Sequence, residues 1–507
     1  MSAKERERKR EIDQQVVSGS SRLNRRHFLA VSGAATPAIL MGPAFTTSAI
    51  AGSENAVRAK KPARIAAVFL FPPKDVVHEG RMEDGWSKHN WFTYPSYQFK
   101  YKEQKAKFTR HIEEMAERLG VEVSFAPEPI WQQEKVEEFI ARTKDETPDA
   151  VLVINFYNSL SGAAYKIAKE AAPTGIVYEP VGAQHQKPNQ QLFHAEGLHF
   201  VQGIEDWDGI EEGLRAVRAK KMLSQSRMLR VAGDRHGEGR EDFLGMDVIS
   251  VPASEYNDLF DSIKPDENMK KEAMQFKQRA ARIMDGIPDD LFVDAMRAHQ
   301  TVHRMMERHD ADAITIKCLM LEHRKPCISF CLNNGNLIPS GCENHFDGTS
   351  TLMLGRWLMD RGGFLHNPGF NPRDNQYYGS HCTCTLKLHG PKGPKADFFL
   401  RPFTHQLPKT PALDVQWNPG EPVMLAKYHS GPGRVTCWSG KVVESPTMPP
   451  TGGCATRVLV EMDDVDDVQD VYPGSHPILF CGTPSEARRW RAFARMYELD
   501  FVGNVRI

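Results

Sequence analysis

The first half of the chain alternates short apolar runs with stretches whose apolar residues recur every three or four positions. The run RIAAVFLF at 64–71 has the length of a buried strand. Helical periodicity follows over Gln104–Leu119. Further alternation continues through the segments VEVSFAP, 136–142, DAVLVINF, 163–171, GIVYEP and HFVQGIE. This order of strands and helices predicts a parallel sheet covered by helices on both faces.

A second alternating series begins near Met228, and the pattern changes again after residue 400. Beyond that point the apolar segments are short, rich in β-forming residues and separated by Gly and Pro, before a final helix at Pro484–Tyr497. We therefore predict an α/β fold in which two doubly wound Rossmann-like α/β domains precede a small β-rich barrel domain. The expected boundaries of the three domains are 52–225, 226–400 and 401–507.

The first 51 residues differ from the rest of the chain. Arg25 and Arg26 precede Phe-Leu, a weakly apolar stretch follows, and Ala49-Ile50-Ala51 has the form of a cleavage signal. This arrangement is typical of a twin-arginine signal peptide, so we expect export to the periplasm by the Tat pathway. A membrane anchor or a disordered tail is the alternative. Because Gly and Pro interrupt the apolar stretch, we expect no stable membrane span.

Composition narrows the partners that the chain is expected to bind. The 507 residues include 64 Lys and Arg against 65 Asp and Glu, without a long basic tract in the body of the chain. We therefore expect no nucleic-acid partner.

The cysteines are confined to the C-terminal part of the chain. All nine lie at or after Cys318, and the odd number leaves at least one unpaired within a single chain. Disulfides are permitted in an exported protein, but the sequence does not give their pairing. Cys318, Cys327 and Cys331 fall in or beside apolar segments and are expected to be small buried thiols.

Side chains of the kinds that bind metals concentrate in three places of the second half. These are GCENHFDGTS at 341–350, the stretch 366–381, and the Gly-Ser-His step at 474–476. The first holds Glu343, His345 and Asp347 within five positions. Taken alone, each place is a weak signal, because an isolated histidine beside a strand is usually structural. Their order along the chain carries more information than any one of them.

That order makes residues 311–507 resemble the L-fucose/L-arabinose isomerase superfamily. Glu343 opens the apolar run TSTLMLGRWLM, Phe364 follows at the interval typical of the family, and Gly-Ser-His steps end at His381 and His476. The closing segment ARRWRAFARMYELDFVGN is also similar to the end of those enzymes. The resemblance is weaker through the α/β region that comes before.

The resemblance implies a metal-dependent aldose–ketose isomerase that acts on a small sugar through an ene-diol intermediate. It implies that Glu343 is a metal ligand and the general acid/base, and that His381 and His476 are further ligands. Mixed carboxylate and imidazole donors suit Mn²⁺ or a similar divalent ion. By the same analogy we expect a homo-oligomer.

The chain departs from the family at the carboxylate expected just after Phe364, which binds metal and takes part in proton transfer. His366 or Asn367 occupies this place, depending on a one-residue shift of the alignment. His366 can bind a metal and act as a base, whereas the amide of Asn367 cannot accept a proton in that role. Asp347 and Asp374 are the candidate substitutes, because both lie close in sequence to the expected ligands.

Other interpretations stay open on the sequence alone. An exported, non-catalytic carbohydrate-binding protein on the same scaffold is favoured by export and by the changed carboxylate, and opposed by the retained Glu343. The aromatic stretch HNWFTY at 89–94 fits a sugar-stacking loop or simple packing. A zinc centre is a further alternative, although the paired C-x-x-C spacing of structural zinc sites is missing. Its candidate ligands are His381, Cys382, Cys384, Cys342 and His345.

Known nucleotide-binding and hydrolase motifs are missing from the sequence. No G-x-G-x-x-G follows the first strand, which argues against a Rossmann nucleotide site. No G-x-S-x-G elbow occurs either, so acyl transfer has no support.

Overall fold

The computed structural model describes residues 59–82, 98–182, 189–403, 410–446 and 454–505 of the chain. These residues belong to a compact unit that spans Val57–Ile507. The predicted signal peptide at 1–51 and the aromatic stretch at 89–94 lie outside the described residues, so both stay predictions.

The first sheet is parallel throughout and is built from the apolar runs of the N-terminal region. Its strands are β1 (Arg64–Leu70), β2 (Glu122–Phe125), β3 (Ala150–Asn155), β4 (Gly175–Pro180) and β5 (Leu198–Gly203), in the order β2-β1-β3-β4-β5. The helices here are α1 (Lys74–His78), α2 (Tyr101–Leu119), α3 (Gln133–Glu146), α4 (Ser161–Glu170), α5 (Gln190–Phe193) and α6 (Trp207–Ser224). Strands β1, β3 and β4 are buried almost throughout, as parallel strands covered on both faces must be.

The second sheet is parallel except at one edge. Its region contains β6 (Arg227–Val231), β7 (Gly237–Arg240), β8 (Asp247–Val251), β9 (Arg282–Ile283), β10 (Ala313–Ile316) and β11 (Ser340–Cys342). The helices are α7 (Ala253–Ser262), α8 (Glu267–Gln278), α9 (Asp289–Arg308), α10 (Cys327–Gly335) and α11 (Phe346–Met359). The strand order is β11-β10-β6-β8-β7, with the exposed β7 antiparallel to β8 and β9 joining another sheet. Strand β11 therefore forms the other edge of the sheet, and its carboxyl end leads directly to Glu343.

A curled antiparallel sheet, which closes into half a barrel, follows. Its strands are β12 (Phe364–Leu365), β13 (Asn367–Asn371), β14 (Gln376–His381), β17 (Pro422–His429), β18 (Arg434–Glu444), β19 (Thr456–Met462) and β20 (Ile478–Cys481), and β21 (Asp500–Gly503) adds to β18 in parallel. Strands β15 (Phe398–Pro402) and β16 (Pro411–Val415) pair with each other, and β15 also pairs with β9. The closing helix α12 (Pro484–Met496) begins with a capping box formed by Thr483 and Glu486.

The mixed α/β class with parallel sheets is confirmed, and the antiparallel sheet starts earlier than the sequence pattern indicates. Strands β12, β13 and β14 lie before residue 401. The sequence pattern did not reveal them, because β12 has two residues and the other two strands contain Gly or Pro and lack the apolar alternation of longer strands. Within the described part of the chain, no helix combines the length and apolar character that a membrane crossing requires.

Candidate metal centre

Three of the predicted ligands converge in the structure. The Nε2 atom of His381 lies 3.6 Å from Oε1 of Glu343, and the Nε2 atom of His476 lies 3.2 Å from Oε2 of the same carboxylate. One donor atom from each of the three residues lies within 4.8 Å of the others. A single ion can therefore contact all three side chains.

Each of these residues stands at the end of a different structural element. Glu343 directly follows β11, His381 is the last residue of β14, and His476 lies in the turn before β20. Burial alternates along β14, so that the side chains of Tyr377 and His381 point inwards. The site thus lies where the second parallel sheet meets the antiparallel sheet.

The backbone at two of the three residues adopts a conformation that ordinary side chains avoid. Glu343 and Asn344 have φ values of +57° and +54°, and His476 has a φ of +54°. A non-glycine residue in the left-handed region costs on the order of 1–3 kcal/mol, and such residues cluster at functional sites. The strained backbone directs the side chains of Glu343 and His476 at each other, which favours a functional role over a structural one.

The charges around Glu343 keep its carboxylate ionised. The imidazole of His381, and then that of His476, holds the pKa of Glu343 well below its ordinary value despite partial burial. The Glu343 side chain remains 30% exposed, whereas both histidines are buried. An anionic oxygen with an open side, beside two imidazole nitrogens, is suited to a cation that also reaches a ligand from solvent.

The donor set fits a divalent metal that keeps free coordination positions. The Nδ1 atom of His476 makes no hydrogen bond with any described residue, and its Nε2 faces only the Glu343 carboxylate. The Nδ1 atom of His381 lies 3.5 Å from the sulfur of Cys382, so Nε2, on the side of Glu343, is the nitrogen that would bind a metal. Two histidines with one carboxylate are used for non-haem iron and for catalytic zinc, and suit Mn²⁺ equally.

His345 supports this group and does not join it. Its Nδ1 accepts a hydrogen bond from the backbone N–H of Gly348 at 2.9 Å, so it caps helix α11. The proton must then be on Nε2, which donates to Oγ of Ser475 at 3.0 Å. Burial lowers the pKa of His345 to about 3, so the ring is neutral, and its centroid lies 4.5 Å from that of the tilted His476 ring.

Lys427 is a neighbour of the site that the sequence analysis missed. Its Nζ donates a hydrogen bond to the carbonyl of Ser475, and its side chain is buried. Burial lowers the pKa of this lysine. Its position in the strand segment PVMLAKYH, where apolar neighbours predict an inward face, is the signal that could have identified it.

The structure turns His366 away from the three ligands. Its Nδ1–H donates to the carbonyl of Phe364 at 2.8 Å, and its Nε2 accepts from the hydroxyl of Tyr377 at 2.7 Å. Burial lowers its pKa to about 3. Because both ring nitrogens are engaged, the neutral ring has no lone pair left for a metal or a substrate proton.

The remaining predicted substitutes also lie outside the group. Asp347 accepts a hydrogen bond from Oγ of Ser430 at 2.6 Å. Asp374 lies in an exposed turn and pairs with Arg373. Asn367 pairs with Ser380 across the ladder of β13 and β14. Of the predicted site residues, the structure brings together Glu343, His381 and His476.

The ligands proposed for a zinc centre are only partly brought together. Cys342, His381 and Cys382 form a compact group of donors. His345 is engaged with Gly348 and Ser475. Burial, and then the neighbouring Cys331 and Cys481, raise the pKa of the Cys384 thiol well above its ordinary value. All nine cysteines are buried, which confirms the expectation for Cys318, Cys327 and Cys331.

Comparison with known proteins does not identify the chain. No protein-family model matches it, and no curated protein matches it. The resemblance to the sugar isomerases therefore stays a hypothesis, and the geometry around Glu343 is what carries any functional proposal.

Proposed function

We propose that the chain is a metal-dependent, aldose–ketose isomerase-like enzyme that acts on a small sugar through an ene-diol intermediate. One observation carries the proposal. Glu343, His381 and His476, which the resemblance names as ligands, converge from positions up to 133 residues apart, with two of them on strained backbone. A chance structural cluster gives no reason for that strain.

In this proposal the metal, with Mn²⁺ as the expected ion, is held by Glu343, His381 and His476. When bound, it would supply Lewis acidity to the carbonyl and hydroxyl oxygens of the sugar. The Glu343 carboxylate remains ionised and partly open, so its free side is available to take the proton from the carbon next to the carbonyl. Returning that proton to the neighbouring carbon, while the proton of the hydroxyl group passes to the former carbonyl oxygen, would complete the isomerisation. Since His366 is engaged on both nitrogens, Glu343 would carry the proton without a partner at that position.

The alternative is an exported, non-catalytic carbohydrate-binding protein on the same scaffold. The contacts of His366 favour it, because the second proton carrier of the isomerases has no free equivalent there. In that case the metal would orient a sugar without converting it.

The remaining predictions about architecture and setting accompany the proposal. We propose two doubly wound Rossmann-like domains and a small barrel domain, with support from the parallel order β2-β1-β3-β4-β5 and the curled third sheet. Export to the periplasm by the Tat pathway and assembly into a homo-oligomer rest on the sequence alone.

The test is metal content combined with turnover. The purified chain, stripped and reloaded with Mn²⁺, is expected to keep about one equivalent at the Glu343 site and to form a ketose from at least one aldose in a broad panel. Glu343→Gln should lose both properties, whereas Asp374→Asn, which changes an exposed carboxylate, should keep both. Calorimetric sugar binding without turnover would select the alternative. A wild-type chain that takes up no metal sensitive to Glu343→Gln would overturn the site.

A further inference from the structure

A cavity lies along the outer edge of the first parallel sheet, where helices α6 and α12 meet strand β5. Its volume is about 320 Å³, which is at the lower end of the range of small-molecule sites in proteins. It shares no residue with the candidate metal centre. We call this cavity the basic pocket, and its lining includes Phe193, Phe200, Gln202, Arg491 and Arg495.

One face of the closing helix α12 supplies the positive charge of the basic pocket. Arg488, Arg491 and Arg495 are spaced by three and four residues, so they lie on the same side of the helix. All three line the cavity, together with Ala492, which adds only a methyl group to the wall. Three guanidinium groups of one helix therefore surround a space that the protein itself does not fill.

Two carboxyl groups also line the basic pocket, but neither pairs with Arg491 or Arg495. The Oε1 atom of Glu212 accepts a hydrogen bond from Nε of Arg488 at 2.9 Å. Asp206 caps helix α6 through a hydrogen bond of 2.9 Å from a backbone N–H. Burial raises the pKa of Glu212 to about 7, so this carboxyl group is only partly ionised at neutral pH. The pocket therefore keeps an excess of positive charge.

Hydrogen-bond donors of the basic pocket are left without an acceptor. The guanidinium of Arg495 makes no hydrogen bond or ion pair with any residue that the structure describes. Burial, and then the neighbouring Arg491, lower the pKa of Arg495, because both disfavour its positive charge. Within the described residues, the buried Nε2 of Gln202 also has no partner. A bound oxyanion would accept from these groups and relieve the repulsion between the two arginines.

An apolar wall faces these donors. The rings of Phe193 and Phe200 meet edge to face with their centroids 4.9 Å apart, and Val201 lies beside them. Aromatic side chains in this arrangement pack well against a further ring. The wall thus fits the carbon part of a ligand whose charged end reaches the arginines.

We propose that the basic pocket binds a small molecule in which an oxyanion, either a carboxylate or a phosphate monoester, is attached to an aromatic ring. Arg491 and Arg495 bind the oxyanion through charge-assisted hydrogen bonds, and Gln202 donates a further one. Phe193 and Phe200 contact the ring. This binding needs neither the metal nor the sugar of the proposed function.

The test is calorimetry on the full chain, stripped of metal, dialysed free of chelator and kept in a buffer without oxyanions. Benzoate and phenyl phosphate are the probes, whereas inorganic phosphate and benzyl alcohol each carry only the charge or only the ring. Wild-type protein is expected to bind one equivalent of benzoate or phenyl phosphate at least about tenfold more tightly than either of the two partial compounds. The tighter of the two probes shows which oxyanion the pocket takes.

Variants of Arg495 show whether the arginines hold the probe. Arg495→Gln should weaken the tighter probe at least about tenfold, and Arg495→Lys, which keeps the charge, should retain part of the affinity. Because Arg495 has no partner among the described residues, Arg495→Gln should leave the urea midpoint of the ligand-free protein unchanged. Arg373→Gln removes an exposed arginine outside the pocket and is the matched control, which should bind like wild type.

Glu343→Gln separates this proposal from the proposed function, since it should lose the Mn²⁺ site and any turnover yet bind the probe unchanged. Wild type that binds neither probe, or binds both no more tightly than the partial compounds, would overturn the proposal. So would Arg495→Gln with wild-type affinity. If wild type binds no probe and Arg495→Gln alters the oligomeric state, the pocket is a contact between copies of the chain and the proposal is wrong.

Discussion

Two glutamates at the carboxyl ends of parallel strands have opposite surroundings. Glu179, near the end of β4 in the first sheet, is 2% exposed and accepts hydrogen bonds from Nδ2 of Asn155 at 2.8 Å and from Oγ of Ser161. Glu343, just after β11 in the second sheet, is partly exposed and faces two histidines. Burial raises the pKa of Glu179, whereas the histidines lower that of Glu343.

The difference shows how a structural carboxylate can be told from a candidate ligand. The Glu179 group is closed, because the carboxylate is buried and Asn155 also accepts a hydrogen bond from the backbone N–H of Tyr157. The Glu343 group is open, since its partners are themselves metal-binding side chains and one face of the carboxylate meets solvent. A place at the end of a parallel strand is common to both, so the partners decide the role.

The largest expected effect is on stabilisation by metal. Mn²⁺ at about 1,000 times its Kd should stabilise the wild-type chain by about 4 kcal/mol. Glu343→Gln should lose this increment because the anionic donor is gone, and Glu179→Gln should keep it. Urea unfolding with Mn²⁺ and with chelator measures both. Equal increments in the two variants would mean that the open group is not the metal site.

Removing the two side chains entirely should produce the opposite ranking in metal-free protein. Glu179→Ala leaves buried donors on Asn155 and Ser161 without their acceptor, which should cost about 3 kcal/mol. Glu343→Ala should change stability by less than about 1 kcal/mol, because partial exposure lets water replace the carboxylate. Denaturant midpoints in chelator give the comparison, and similar losses for the two would remove the distinction between closed and open.

The sequence predicts the strands and helices of the protein better than it predicts the contacts of individual buried side chains. The runs RIAAVFLF and DAVLVINF and the periodicity at Gln104–Leu119 predict β1, β3 and α2, since long apolar patterns leave few alternatives. The order of Glu343, His381 and His476 predicts a candidate ligand set, but periodicity carries no information about which way a buried ring turns. The hydroxyl of Tyr377, which engages His366, comes from a neighbouring strand, and strand pairing of this kind is a tertiary feature. The strand pattern around Lys427 predicts an inward face, but the contact of its Nζ with the carbonyl of Ser475 is again a tertiary feature.

His366 tests whether partners or position decide the behaviour of a buried group. It lies in the sheet that supplies His381, yet it is closed like Glu179, and burial lowers its pKa to about 3 from 6.5. Between these values the unfolded chain binds a proton that the folded chain does not, so stability is full above pH 6.5 and falls as the pH drops. The contribution lost between pH 7 and pH 5 is about 2 kcal/mol.

His366→Gln, which keeps an amide partner for Tyr377, should therefore flatten the fall in unfolding free energy by about 2 kcal/mol over that interval. Its own stability at pH 7 is measured alongside, so that a general loss of packing is not mistaken for the pH effect. An unchanged slope would show that His366 takes up its proton equally in the folded and the unfolded chain, and hence that it is not closed.

The smallest expected effect on stability concerns the strained backbone at Glu343. Because Glu343 has a φ of +57°, glycine there should relieve strain that any Cβ causes. In chelator, Glu343→Gly should be more stable than Glu343→Ala by about 1 kcal/mol, although both lack the carboxylate and neither should respond to Mn²⁺. At Glu179, on ordinary extended backbone within β4, glycine should instead be less stable than alanine. A protein that keeps a strained residue where glycine is more stable gains nothing in its fold from that choice, so the Glu343 side chain must be kept for what it binds. If alanine proves the more stable residue at position 343, the backbone is not strained there and that reasoning fails.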